Sequence, residues 1–152
     1  MPERITLHGT CVSIEGQGVL LLGPPGSGKS DLALRLIDQP GLGTGLDDMR
    51  AMLVSDDQVT ITVEEESLRA QAPQAIAGLL EIRGLGVVRV PCKLDAVLRM
   101  VVRLKPAAEI ERLPVPQQTE ILGQHLPVHE IDPWALSAPA RVRAALRVNS
   151  GL

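Results

Sequence analysis

Lys29 and Ser30 close a glycine-rich turn, and Asp56 and Asp57 end an apolar run. Together these residue types suit one chemistry, the handling of a transferable phosphate. An ammonium neutralises phosphate oxygens, and a hydroxyl can take one position on Mg²⁺. Two adjacent carboxylates can divide the remaining tasks, one holding the metal or its water and the other taking the proton of an attacking hydroxyl. The residues Gly23-Pro24-Pro25-Gly26-Ser27-Gly28-Lys29-Ser30 satisfy the phosphate-loop spacing G-x-x-x-x-G-K-[ST] in full. Glycines without a Cβ let successive N–H groups point inward as an anion nest, and a helix starting near Gly28 adds the positive end of its dipole. The alternative, a Gly/Pro-rich turn that binds nothing, has the whole motif and its flanking elements against it.

The elements that must position these groups can be read from hydrophobic periodicity. Gly18–Leu22 is a short apolar strand leading into the loop, and Ser30–Asp38 has helical spacing that stops at Gln39-Pro40-Gly41. Upstream, Ile5–Ile14 alternates loosely and turns at Glu15-Gly16-Gln17-Gly18, closing a hairpin onto Val19–Leu22. His8 lies near one end of that hairpin, where a structural role is the commoner one. Gly41–Asp48 is a glycine-rich connection expected to be mobile. It leads to the strand that ends in Asp56-Asp57, whose side chains point to opposite sides if the chain stays extended. Without the phosphate loop, the acidic pair would read as a polar turn before the alternating Val59–Val63.

Glu64-Glu65-Glu66 reads as a solvated turn. Leu68–Leu80 mixes a short extended piece with a brief helical stretch. In Glu81-Ile82-Arg83-Gly84-Leu85-Gly86-Val87-Val88-Arg89-Val90, Glu81 and Arg83 share a face if extended, and the glycines suggest a loop that approaches a ligand or moves. A surface ion pair before a strand is the competing reading. Val97–Lys105 is strand-like, Pro106–Pro114 a loop, and Gln118–Glu130 an extended pair around Gly123. At the end, Ser137 is a good N-cap and Pro139 fits the first turn. Ala140–Val148 is an amphipathic helix stopping at Asn149-Ser150-Gly151, with Arg141, Arg143 and Arg147 expected on a solvated face. Docking of an acidic partner or a neighbouring subunit is its alternative.

Composition narrows the partners. The 152 residues suit one domain spanning 1–152, and 45% apolar content is enough for a core. Trp134 is the sole aromatic residue, so the stacking platforms of single-strand nucleic-acid binders are missing. A formal charge of −3 also disfavours nucleic acid. Cys11 and Cys92 lack metal or redox spacing and read as reduced, part-buried thiols. No window approaches a membrane span and no secretory pattern opens the chain, so a cytoplasmic location is expected.

The combination of His8-Gly9, GPPGSGKS, LVSDD and EIRGLGVV, in this order and at these separations, resembles the catalytic domain of HPr kinase/phosphorylase in its short form, without the N-terminal domain. The resemblance covers most of residues 4 to 105, and EIRGLG is its most discriminating segment. It implies an α/β fold, a P-loop kinase core akin to phosphoenolpyruvate carboxykinase, with a mixed sheet and few helices. The implied reaction is ATP- and Mg²⁺-dependent phosphorylation of a serine of an HPr-like phosphocarrier of the phosphotransferase system, with reverse phosphorolysis in several members. By that resemblance Asp56 is the base toward the seryl hydroxyl and the acid in reversal, with Asp57 supporting it. Lys29 binds phosphate, Ser30 and Glu81 approach Mg²⁺, Arg83 neutralises transferring charge, and His8 is a polar member of the site. A homo-oligomer, a hexamer, is also implied.

One departure from that pattern lies near the end. Longer relatives continue from Pro-Val into a loop close to R-P-G-R-N, whose arginine contributes to catalysis, whereas Val128 is followed here by His129-Glu130-Ile131-Asp132-Pro133. The departure motivates a second reading, a nucleotide-sensing module that keeps the loop with weak or no transfer. Arg103 and Arg112 are the candidates to replace the arginine, though the sequence places neither. A small-molecule kinase of another P-loop family is disfavoured, because no lid-like basic segment is visible.

Overall fold

Val19, Leu20 and Leu21 are consecutive and all fully buried, which requires apolar layers on both faces of their strand. That strand is the centre of the molecule. The computed structural model describes residues 3–149. Its strands are β1 (Arg4–His8), β2 (Thr10–Ile14), β3 (Gln17–Leu22), β4 (Ala51–Ser55), β5 (Gln58–Glu64), β6 (Ser67–Gln71), β7 (Leu79–Ile82), β8 (Gly86–Arg89), β9 (Asp95–Leu104), β10 (Gln117–Ile121) and β11 (Gln124–Ile131). The two α-helices among the described residues are α1 (Lys29–Asp38) and α2 (Ala138–Asn149). Nine strands form one mixed sheet in the order β1-β5-β6-β9-β3-β2-β4, with β11 joining along β9 and β10 pairing with β11. β7 and β8 form a separate hairpin. The α/β mixed sheet with few helices is the expected class.

One core lies between the sheet and the helices. Val19, Leu21, Met100 and Val102 meet Leu32, Leu36, Val142 and Leu146 there. The second core is built by strands alone, with Leu20, Val101, Val59, Ile61, Leu98 and Val128 in contact. The alternation of β3 and β9 residues between these two layers is the period-2 rule applied to a strand buried on both sides.

Turn chemistry sets the hairpins as the sequence suggests. Glu15 and Gly16 have φ of 52° and 77°, and Leu122 and Gly123 have φ of 49° and 81°. Left-handed pairs of this kind make the two-residue turns that match strand twist. Glu65 and Glu66 close a third such turn, with φ of 48° and 68°, in keeping with the solvated turn read from the charge run.

Other expectations need correction. Ile5–Ile14 is two strands, because Gly9 breaks it: β1 pairs with β5, and only β2 forms the hairpin with β3. A Cβ at Gly9 would lie 3.0 Å from a Leu22 methyl and 3.1 Å from the Leu21 oxygen. Such closeness leaves little room for a side chain, and there the chain crosses from one partner strand to another. In the segment Glu81–Val90 the extended pairing of Glu81 with Arg83 ends at Ile82, and Gly84, at φ 89°, lies in the turn of a hairpin.

The connection 41–48 is held in place. Met49 N donates to Gly41 O at 2.7 Å, Gly41 N donates to Asp48 Oδ1 at 3.2 Å, and Gly41, Gly43 and Gly45 let the Arg143 and Arg147 side chains lie directly on the backbone. Arg143 is therefore buried at 3% exposure, where a solvated face was expected. Its guanidinium donates to Met49 O at 3.1 Å, Leu36 O at 3.2 Å and Gln39 O at 2.5 Å. Burial pushes its pKa below the ordinary value, Asp48 opposes that shift and Arg50 adds to it. Arg141, by contrast, is exposed and folds back onto Ser137 Oγ at 2.8 Å. Ser137 O accepts the amide of Arg141 at 2.8 Å, as an N-cap carbonyl does. The stop at Ser150-Gly151 lies outside the described residues.

The two cysteines differ, although both were expected to be part-buried. Cys11 is fully buried and its thiol is pushed up to about 12 by desolvation, whereas Cys92 is exposed. A thiol-reactive chromophore at mildly alkaline pH should count one thiol in the native protein and two after denaturation. Rapid native reaction of both thiols would contradict the packing of β2.

Candidate active site

β3 and β9 run parallel, as do β9 and β11. β4 is reached from β3 through two antiparallel steps across β2, so it points the same way. The C-terminal ends of all four strands therefore share one edge, where ligands bind in parallel α/β sheets. The phosphate loop follows β3 at the middle of this edge. Asp56-Asp57 follows β4 on one side, and Asp132-Pro133-Trp134 follows β11 on the other.

The loop geometry is the one its glycines allow. Ser27 N donates to Pro24 O at 3.0 Å, Gly26 has φ 80°, and Gly28, the N-cap of α1, has φ 99°. At Gly28 a Cβ would also stand 3.0 Å from the Trp134 ring and 3.2 Å from Pro133 Cβ. Pro25, Gly26, Gly28, Lys29 and Ser30 line a cavity of about 440 Å³, together with His8, Thr10, Asp57, Glu81, Arg83 and Trp134. Gly23, Pro24 and Ser27 are not among the residues that line it. Lys29 Nζ donates to Gly23 O at 2.6 Å and Pro24 O at 3.1 Å. Burial lowers the Lys29 pKa, while Asp57 and Asp56 pull it back up. Ser27 Oγ is buried with no partner, 2.5 Å from where a Cβ on Gly23 would be. Its hydroxyl thus faces away from the cavity, and the backbone is what Ser27 offers there.

The acidic pair is split by environment. Asp56 is buried at 6% exposure; its Oδ1 accepts Ser30 Oγ at 2.7 Å and Thr10 Oγ1 at 2.9 Å, and its Oδ2 accepts Glu81 N at 3.2 Å. Asp57 takes a left-handed φ of 70°, which an aspartate tolerates better than most residues. This turn brings both carboxylates to the same edge, where an extended chain would have sent them apart. The Asp57 side chain is 69% exposed, with Oδ1 3.4 Å from His8 Nδ1. The main chain fastens the arrangement, since Gly9 N donates to Asp57 O at 3.0 Å and Gln58 N to Asp56 O at 2.8 Å.

Glu81 sits on β7 and Arg83 in the turn after it; both are exposed and both line the cavity. Among the described residues no three His, Cys, Asp or Glu side chains form a metal cage. Mg²⁺ does not need one, because it is usually held by one or two carboxylates plus substrate phosphates. The contact between Ser30 and Asp56, with Glu81 alongside, is a donor set of that kind, and the glycine nest with Lys29 fits a polyphosphate. Arg103 is tied to Thr119 Oγ1 at 3.3 Å, and the cavity-lining cations are Lys29 and Arg83. Two participants were not singled out in the sequence. Thr10 is a hydroxyl residue directly after His8-Gly9, and Trp134 is the sole aromatic, directly after an Asp-Pro turn.

Comparison with known proteins shows the family. Residues 1–134 match the family described as HPr Serine kinase C-terminal domain. The HPr kinase/phosphorylase of Caldicellulosiruptor bescii is 39% identical over 139 residues, covering 84% of this chain and 42% of that protein. That of Burkholderia lata is 37% identical over 144 residues, covering 86% and 40%. The chain thus spans well under half the length of these relatives. The solved Hpr(Ser) kinase/phosphatase from Coxiella burnetii superposes with a TM-score of 0.80 at 22% identity over 96% of each chain, a likeness of fold. With the family match covering the phosphate loop, the acidic pair and the β7–β8 hairpin, this chain belongs to the HPr serine kinase C-terminal domain family.

Proposed function

We propose that this chain is a single catalytic domain, an ATP- and Mg²⁺-dependent kinase that phosphorylates a serine of an HPr-like phosphocarrier, and that Asp57 is its base. The observation that carries this reading is the unequal environment of two adjacent carboxylates beside a phosphate loop. Asp56 already accepts three hydrogen bonds, one of them from Ser30. Its place is with Ser30 and Glu81 at Mg²⁺, which when bound would neutralise charge on the phosphates. Asp57 is exposed in the same cavity and can reach an incoming hydroxyl. The roles implied for the two aspartates by family resemblance are thereby exchanged.

In the transfer, the serine oxygen forms a bond to the γ-phosphorus as the bond from that phosphorus to the β,γ-bridging oxygen breaks. The seryl proton passes to the Asp57 carboxylate, and His8 stands where it can hold that carboxylate in place. Lys29 leaves the loop carbonyls for phosphate oxygens, and Arg83 faces the developing charge. Positioning and charge neutralisation suffice, because a loose phosphoryl transition state asks little covalent chemistry of the protein. Reverse phosphorolysis would use the same groups, with Asp57 returning the proton.

The nucleotide-sensing reading retains one specific support. At the place of the arginine-bearing loop, His129 faces Asn149, with its Nε2 3.2 Å from the Asn149 Oδ1, and Asp132 is engaged by backbone amides. Incubation with labelled ATP, Mg²⁺ and a purified HPr-type carrier separates the two. Acid-stable label on a carrier serine is expected for the kinase, whereas saturable ATP binding with an unlabelled carrier would leave the sensing module.

A further inference from the structure

Trp134 is 64% exposed and is the only aromatic residue in the chain, yet its ring lies against the phosphate loop at Gly28. An indole left in water at a cavity wall is unusual, because so large an apolar group is normally buried or partnered. We propose that Trp134 is the nucleobase platform of this site, stacking the base of a bound nucleoside di- or triphosphate. The proposal rests on the nucleotide reading above and assigns the end of the ligand that the phosphate chemistry leaves open.

Topology sets the direction. Along the binding edge the strands run β4, β2, β3, β9, β11, with the acidic pair after the first, the phosphate loop after the third and Trp134 after the last. Adjacent strands are about 4.8 Å apart, so the acidic pair and the tryptophan turn lie roughly 19 Å apart across the edge, with the loop between them. A nucleotide whose γ-phosphate faces Asp57 therefore directs its base away from β4 and toward β11. Leu34 and Pro25 add apolar surface to the same cavity.

The turn that carries the ring is also held in place. Asp132 Oδ1 accepts Trp134 N at 2.9 Å, and its Oδ2 accepts Ala107 N at 3.2 Å. Arg35 donates from Nη2 to Pro133 O, and its Nε bonds Asp31 Oδ2 at 2.9 Å. α1, whose N-terminus serves the phosphates, thus also fixes the turn that presents the indole. Stacking uses a π-face that every base has, so this platform accepts adenine and guanine alike.

The test uses the whole chain at constant Mg²⁺ with three probes: ADP, GDP and inorganic pyrophosphate. ADP and GDP should quench the single tryptophan, and pyrophosphate should bind by calorimetry with little change in emission. Trp134→Ala should weaken ADP and GDP by about 5- to 150-fold and leave pyrophosphate unchanged, with Trp134→Phe recovering most of the loss. Equal weakening of all three probes would mean a structural ring, and unchanged ADP affinity would mean the base lies elsewhere; either result overturns the platform while sparing the kinase reading. Failure of the wild-type protein to bind any of the three would overturn both.

Discussion

Asp57→Asn should lower phosphoryl transfer to the carrier serine by about 10²- to 10⁴-fold, the usual weight of a general base, while leaving nucleotide binding intact. The substitution removes the proton acceptor at an exposed site, where the new amide is solvated and the left-handed φ of 70° suits asparagine as well as aspartate. Asp56→Asn should behave differently. All three partners of Asp56, the Ser30 and Thr10 hydroxyls and the Glu81 amide, donate to it in this structure. An asparagine has one accepting oxygen, so its NH₂ must face a donor, or a hydroxyl must rotate away. In a buried site a mismatch of this kind costs about 1–3 kcal/mol. The loss should therefore appear as weaker Mg²⁺-dependent nucleotide binding and a lower melting temperature, as well as slower transfer. Single-turnover rates and calorimetric affinities for both variants separate the roles. Normal transfer in Asp57→Asn, with abolished transfer but normal binding in Asp56→Asn, would return the base to Asp56.

Arg143→Met should destabilise the fold by about 2–4 kcal/mol. For a chain of this length that corresponds to a fall of roughly 4–16 °C in melting temperature. Two effects compete. Removing a buried guanidinium relieves its desolvation, the effect that lowers its pKa. Against that, the oxygens of Leu36, Gln39 and Met49 lose a charged donor. The second effect wins, because these are backbone carbonyls that cannot be mutated away with the arginine, and two of them belong to the C-terminal end of α1, where intrahelical partners run out. Methionine keeps an unbranched apolar stem beside Gly41 and Gly43, so the comparison reports the polar head. Arg143→Lys should be intermediate, since an ammonium lacks the planar fork that reaches both α1 and the 41–49 connection. A melting temperature equal to that of the wild type in Arg143→Met would mean that α2 is held by its apolar contacts alone.

Arg143 also shows where reading from sequence stops. In the sequence it is one of three arginines with Arg141 and Arg147, and charge alone places all three in water. Burial was decided by a connection some hundred residues away in the chain, whose glycines leave room for the side chain. Gly41–Asp48 was expected to be mobile for the same reason in reverse, because composition reports a lack of local constraint and says nothing about a side chain arriving from elsewhere. Ile5–Ile14 offered no punctuation except Gly9, and only the crossing at Leu21 and Leu22 turns that glycine into a strand break.

What the sequence determined by itself is the set of local elements whose cause is local. The phosphate loop needs its glycines, its lysine and a strand-to-helix context, and all are adjacent in the chain. The strand leading into it, the stop of α1 before Pro40, the glycine-bearing turns at Glu15-Gly16 and Leu122-Gly123, and the arrival of two carboxylates at a strand end were legible for that reason. The tertiary structure alone decided the unequal surroundings of those carboxylates, on which their proposed division of work rests. Neighbouring aspartates are equivalent as letters; they differ because one turns into Ser30, Thr10 and the Glu81 amide, and the other, through its left-handed φ, stays in the open cavity beside His8. Environment sets the proposed roles of proton acceptor and metal holder, and environment is made of residues distant in the chain. Trp134 belongs to the same class, being joined to the phosphate loop only because β11 runs parallel to β9, and β9 to β3.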